Sequence, residues 1–253
     1  MFKGTSASAG IGIGKAVIVE EAELVITRNE VADAEAEIQR FKGALEKTIA
    51  ATQKMADDLA SRVGEKEAEI MQGHMMLLSD PMLTGEIENS VKNDKVNCEF
   101  AIENVCNMYA DMFASMGDEL MQQRATDMRD IKVRMQRTLM GLESVDVSLL
   151  PKGSILVAKD LTPSMTAGIN PENVSGIVTE LGGKTSHSAI LARALEIPAV
   201  VAVNGLMDAV KDGDSVVLDG STGEVFVNPE ASVEKEYEEK RSQFLKDKKE
   251  LEK

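Results

Sequence analysis

Between Asn29 and about Leu142 the apolar residues recur at spacings of three and four, whereas the residues on either side form short apolar runs broken by glycine and proline. Period 3.6 and period 2 cannot share one element, so this chain is neither a single bundle nor a single sheet. Within the helical block, Asn29 is the expected N-cap of a first helix with Ile38, Phe41, Leu45, Thr48, Thr52, Met55 and Leu59 on one stripe, stopped by Gly64. A second helix covers Lys66–Leu78 and breaks at Asp80-Pro81, and a short piece carries Leu83, Ile87 and Val91. Asn97 can cap a long helix that Gly117 closes, and the last one holds Met128, Ile131, Met135, Leu139 and Leu142. Long helices with short joints and one apolar stripe each predict a helical bundle.

The flanks read differently. Gly10-Ile11-Gly12-Ile13-Gly14 feeds a strand at Lys15–Val19. It is no dinucleotide fingerprint, because G-x-G-x-x-G would need glycine at Lys15 and an immediate helix. After Pro151, the runs 155–158, 176–179 and 199–203 are compact apolar strands. A helix over about Ser186–Glu196 lies between the last two, and Thr162-Pro163 reads as the N-cap and first residue of another. Asp219-Gly220-Ser221-Thr222-Gly223 joins two β-rich runs as a hairpin. Residues 1–28 and 145–230 are therefore expected to form one discontinuous α/β domain, with the bundle of residues 29–144 inserted. Residues 231–253 form a solvated helix: from Glu230 to the end, 15 of 24 residues are charged.

Charge narrows the partners. With 43 acidic against 28 basic residues the chain carries −15, the wrong sign for blind attraction to nucleic acid and the right one for a basic protein. No apolar run is long enough to cross a membrane, and no signal peptide opens the chain. Cys98 and Cys106, eight apart on one helix, stand too far apart for a disulfide. A reduced, cytoplasmic protein is the expectation. Aromatics are only 3%, so the core must be aliphatic, with the 15 methionines filling gaps or forming adaptable surface. Met55, Met112, Met128 and Met135 are expected inside the bundle.

Histidine chemistry has two candidates, His74 and His187. His187 follows Gly182, Gly183, Lys184, Thr185 and Ser186 and opens a helix. Close-approaching backbone, hydroxyls and a positive helix terminus all favour an anionic phosphate there, with Lys184 or Arg193 as a cation. A P-loop is excluded, because its first glycine would fall at Val178. A hydrolase triad lacks the G-x-S-x-G elbow. A helix-capping or core histidine without chemistry stays open at this point. No carboxylates form a ligand-spaced cluster with either histidine, so no metal is expected in this chain.

The segment Gly182 to Arg193 (GGKTSHSAILAR) resembles the active segment of the phosphohistidine swivelling domains. These occur in Enzyme I of the bacterial phosphoenolpyruvate:sugar phosphotransferase system, in pyruvate phosphate dikinase and in phosphoenolpyruvate synthase. Asp160–Thr166, Ser8–Gly12, Gly73–Asp80 and Arg129-Asp130-Ile131 are similar to Enzyme I in particular. The resemblance implies an α/β phosphohistidine swivelling domain with an inserted all-α bundle and a C-terminal linker helix. It implies that His187 carries phosphate on Nε2, that Thr166 orients the ring or the phosphoryl group, and that the carrier protein HPr receives it. It also places HPr on the bundle, around Glu65, Glu67, His74, Met76, Leu77, Asp80 and Leu83, with Arg124 reaching in. Phosphoenolpyruvate, Mg²⁺ and homodimerisation are expected with a C-terminal barrel that this chain lacks, leaving a monomer without cofactor. Lys184 stands where relatives carry arginine, which loses the planar fork. The alternative is the swivelling domain of a dikinase-type enzyme.

Overall fold

The computed structural model describes residues 1–252 and divides into two compact units, residues 1–20 with 145–252, and residues 21–144. The first unit is built on eight strands: β1 (Phe2–Lys3), β2 (Thr5–Ser8), β3 (Ile11–Ile18), β4 (Ser154–Ala158), β5 (Val174–Thr179), β6 (Ala199–Val201), β7 (Ser215–Asp219) and β8 (Glu224–Val227). They form one sheet in the order β1-β8-β7-β3-β4-β5-β6-β2. β3 to β6 run parallel, with Lys15 opposite Ser154 and Ile177 opposite Ala199, while β7, β8, β1 and β2 pair antiparallel. β2 and the Gly4 joint before it also reach the β7–β8 hairpin, Gly4 N donating to Gly223 O at 2.8 Å and Ser6 Oγ to Ser221 O at 2.9 Å. Every residue of β4 is buried, as its unbroken apolar run requires of a central parallel strand. Leu156 and Ala158 face one core while Ile155 and Val157 face another, the two-residue period of a strand.

The unit of residues 21–144 holds five helices: α1 (Ala34–Arg62), α2 (Glu65–Leu78), α3 (Pro81–Asp94), α4 (Cys98–Ser115) and α5 (Glu119–Met140). The expected cap Asn29 is not one. Asp33 caps α1 by accepting from Ala36 N, while the Asn29 amide donates to the Asn97 side chain at 2.8 Å. Asn97 precedes α4 but spends its carboxamide on Asn29 and on Thr27 O, tying residues 27–29 to the bundle. Asp80 caps α3 with Pro81 at its first position, and Asp118 caps α5. Phe41, Leu78, Leu83, Ile87, Ile102, Met128, Ile131 and Met135 make one core. Met112 does not join it: it is 45% exposed, on the α4 face shared at four-residue spacing by Met108 and Met116. Cys98 and Cys106 are both buried and free.

Four helices complete the first unit: α6 (Pro163–Ala167), α7 (His187–Ala194), α8 (Leu206–Ala209) and α9 (Ala231–Leu251). Thr162 caps α6, its hydroxyl accepting from Met165 N. α9 lies against β3 through a sparse stripe. Tyr237, its one buried residue, donates to Glu224 at 2.8 Å and stacks at a tilt on Phe226. No helix of the described residues is long and apolar enough to cross a membrane.

Candidate functional site

The loops that follow β4 and β5 leave the carboxyl ends of parallel strands, the edge at which open α/β sheets present their ligand groups. The β4 loop leads through Asp160 into α6, and the β5 loop through Leu181–Ser186 into α7. Loss of hydration raises the Asp160 carboxyl above the ordinary aspartate range, against the opposing hydrogen bond from Leu161 N. Leu181 ties the two loops together, since its amide donates to Lys159 O at 2.8 Å. Its carbonyl is held twice, by the Thr179 hydroxyl at 2.6 Å and by the Ala202 amide at 3.3 Å. Beyond that clamp the chain turns at Gly182, whose φ of +99° strains any residue with a side chain.

His187 is the first residue of α7 and is half-buried. Ser186 is its N-cap, and the Ser186 hydroxyl donates to Gly183 O at 2.7 Å while accepting from Ala189 N at 3.3 Å. Ser186 thus closes the loop onto the helix, and its own proton is already spent. The first amides of α7 have no carbonyl within the helix to pair with, so this end attracts negative charge. Lys184 and Thr185 stand exposed on the same loop. α6 packs against α7 and carries Thr166, which is 1% exposed. Thr166 donates its proton to Thr162 O at 2.9 Å, which leaves its oxygen as an acceptor for a ring N–H.

Arg193 has a structural partner of its own. It lies six residues along α7, about 9 Å of helical rise from His187, and its guanidinium donates to Ala7 O at 2.8 Å. Lys184 is the cation on the loop itself. Two contributors had escaped the sequence. Thr179 looked like the polar end of an apolar run, and Ala202 like part of a strand. Ala202 sits at φ +56°, where a residue other than glycine is held only by its surroundings.

The second candidate, His74, is fully buried, and its Nε2 pairs with Asp127 Oδ1 at 3.0 Å. It is therefore no surface residue, and neither are Leu77 and Leu83, which are 9% and 1% exposed. The helical stripes explain this. Ala68, Met71, His74 and Leu77/Leu78 form the inward stripe of α2, and Leu83, Ile87 and Val91 that of α3. Met76 and Met82 occupy the outer faces and are 67% and 69% exposed. Glu65 is exposed, Glu67 and Asp80 are half-buried, and Arg124 of α5 lies across α2 at Gly73. Among the described residues, Glu37, Cys98 and Glu99 alone have metal-ligand spacing. The Arg40 guanidinium bonds all three of them, and burial pushes the Cys98 thiol well above the ordinary cysteine range.

Comparison with known proteins agrees with this architecture. Residues 3–124 match the family described as PEP-utilising enzyme, N-terminal, and residues 150–223 match PEP-utilising enzyme, mobile domain. The phosphoenolpyruvate-protein phosphotransferase of Staphylococcus carnosus is 41% identical over 252 residues, covering 100% of this chain and 44% of that protein. That of Bacillus subtilis is 41% identical over 244 residues, covering 96% of this chain and 43% of that protein. The chain thus spans less than half the length of these curated relatives. A solution structure described as Enzyme I (nEIt) superposes with a TM-score of 0.83 at 39% identity, over 96% of this chain and 99% of that one. A second structure, described as the N-terminal domain of Enzyme 1 - Nitrogen, superposes with a TM-score of 0.60 at 26% identity. With a solved relative matched from end to end at this identity, the chain belongs to the Enzyme I family, as its N-terminal domain.

Proposed function

We propose that His187 carries a phosphoryl group on Nε2 and exchanges it with a histidine of HPr, phosphoenolpyruvate being the first donor only in the full-length protein. One observation carries this reading: a half-buried imidazole opens α7 behind the clamped, glycine-turned loop, and the helix packed against α7 carries the buried hydroxyl of Thr166. In the transfer, the Nε2 lone pair attacks the phosphorus of the donor phosphohistidine. The donor's P–N bond breaks, and its electron pair returns to the donor ring. The proton on Nδ1 stays in place, held by an acceptor, so His187 remains a one-sided nucleophile. The open amides of α7 and the Lys184 ammonium stabilise the phosphoryl oxygens. The cluster of Glu37, Cys98 and Glu99 does not suit Mg²⁺, because the Arg40 guanidinium already bonds all three groups and a thiol is a poor ligand for that ion. Magnesium chemistry belongs with the rest of the longer relatives.

Residues 21–144 contain 24 acidic and 14 basic side chains, which suits a basic partner. Met76 and Met82, either side of the Ser79-Asp80 corner, replace Leu77 and Leu83 as its apolar contacts, with Glu65, Glu67, Asp80 and Arg124 around them. Incubation with phosphorylated HPr is expected to place acid-labile phosphate on this chain, and phosphoenolpyruvate with Mg²⁺ is not. Labelling by phosphoenolpyruvate alone, or none by phosphorylated HPr, overturns the proposal.

The loop clamp gives a second expectation. Thr179→Val keeps the shape but removes the hydroxyl from Leu181 O, at a cost of about 1 kcal/mol, since the Ala202 amide remains bonded there. Phosphoryl acceptance should slow several-fold, and Thr179→Ser should restore it. Quench-flow measurement of His187 labelling checks this; an unchanged rate in the valine variant refutes the positioning role.

A further inference from the structure

At the amino ends of the parallel strands, opposite the His187 loops, a cavity of about 270 Å³ lies beneath α9. Ile11, Val174, Pro198, Phe244 and Leu245 give it apolar walls. Its ionisable lining is Arg241, Lys248 and Glu196, two cations against one carboxylate, on a chain whose net charge is −15. Lys248 is paired with Glu196. Arg241 is half-buried and makes no hydrogen bond or ion pair among the described residues. Glu196 stands at φ +57° because it ends α7 in the left-handed position, where Ile197 N donates back to Ala192 O at 2.9 Å, and this fixes its backbone at the cavity rim. Gly10 completes the cavity: its φ of +124° and the 2.9 Å that would separate a Cβ from Pro198 both require glycine there, whereas Phe244 of α9 would stand at ordinary contact distance.

We propose that this cavity binds a small organic acid, a carboxylate on a short branched apolar body. The free guanidinium of Arg241 offers a planar fork that takes both carboxylate oxygens. The body displaces water from Phe244, Leu245 and Pro198, and the volume lies just below the range of pockets for drug-sized ligands. The acid competes with Glu196 for Lys248, so binding loosens that ion pair. The site is independent of the phosphoryl reading and is tested without phosphoryl transfer.

The test is a titration followed by amide NMR, with 4-methylpentanoate as the probe. Saturable shifts are expected at Gly10, Glu196 and Ile197, with affinity in the millimolar range. Arg241→Gln should weaken binding about tenfold, or about 1.4 kcal/mol. Lys246→Gln removes the same charge from an α9 residue outside the cavity and should leave affinity unchanged. Three results overturn the proposal. These are no saturable shift up to roughly 10 mM, equal binding by Arg241→Gln, and equal binding of the uncharged 4-methylpentan-1-ol. Tighter binding of inorganic phosphate than of the acid overturns the assigned ligand class.

Discussion

His187→Ala is expected to reduce phosphoryl acceptance from phosphorylated HPr to background, the largest functional effect any single substitution here should have. The change removes the attacking nitrogen itself, and no other imidazole on the chain is available, because His74 is fully buried against Asp127. The fold should survive. His187 is half-buried at the first position of α7, and the capping bonds of that helix belong to Ser186. A melting temperature within about 2 °C of the parent, measured together with acid-labile phosphate, separates lost chemistry from lost structure. Normal labelling of the folded variant would show that the phosphoryl group resides elsewhere.

Leu83→Ala should have the largest effect on stability, about 2–5 kcal/mol, because Leu83 is 1% exposed within the core that also holds Phe41, Ile87 and Ile102. Met76→Ala, on the outer face of α2, should change stability by no more than about 0.5 kcal/mol. It should instead speed dissociation of HPr. Urea unfolding followed by far-ultraviolet circular dichroism measures the first effect, and a kinetic binding series the second. A stable Leu83→Ala variant that fails to bind HPr would return Leu83 to the partner surface.

These two substitutions also show what the sequence could and could not reveal. The stripe Leu83, Ile87, Val91 was legible from its spacing alone, and that spacing already turned Leu83 inward. Placing it on a partner surface borrowed from a resemblance and overlooked its own periodicity. The parallel strands were legible because central strands are apolar on both faces, and α6 because Thr162-Pro163 is a strong helix start. Asn29 misled because capping residues also serve as cross-links, and its partner Asn97 lies 68 residues away. At the site, Gly182 and His187 announced themselves by residue type. The Thr179 hydroxyl and Ala202 amide act through one carbonyl oxygen, and Arg193 turns to Ala7 at a sequence separation of 186. Such contacts exist only once the sheet has assembled.

The insertion of the bundle between β3 and β4 sets the order of events when the chain is made. Ile11 of β3 must wait for Asp219 of β7, and Lys15 for Ser154 of β4. At a synthesis rate of roughly 5–20 residues per second, β3 emerges roughly 10–40 s before β7 exists. The helices of residues 34–140 complete their local contacts during that interval, which shortens the effective loop that β3 and β4 must later close. An early strand left unpaired for so long is a hazard for aggregation. β3 lowers that hazard: Gly12 and Gly14, which close backbone at Ser175 and Gly153 requires in the folded sheet, break its apolar run together with Lys15, and the Thr5–Ser8 strand before it holds no large apolar residue. The first residues of the sheet are thus composed to remain harmless on the ribosome until the last ones arrive.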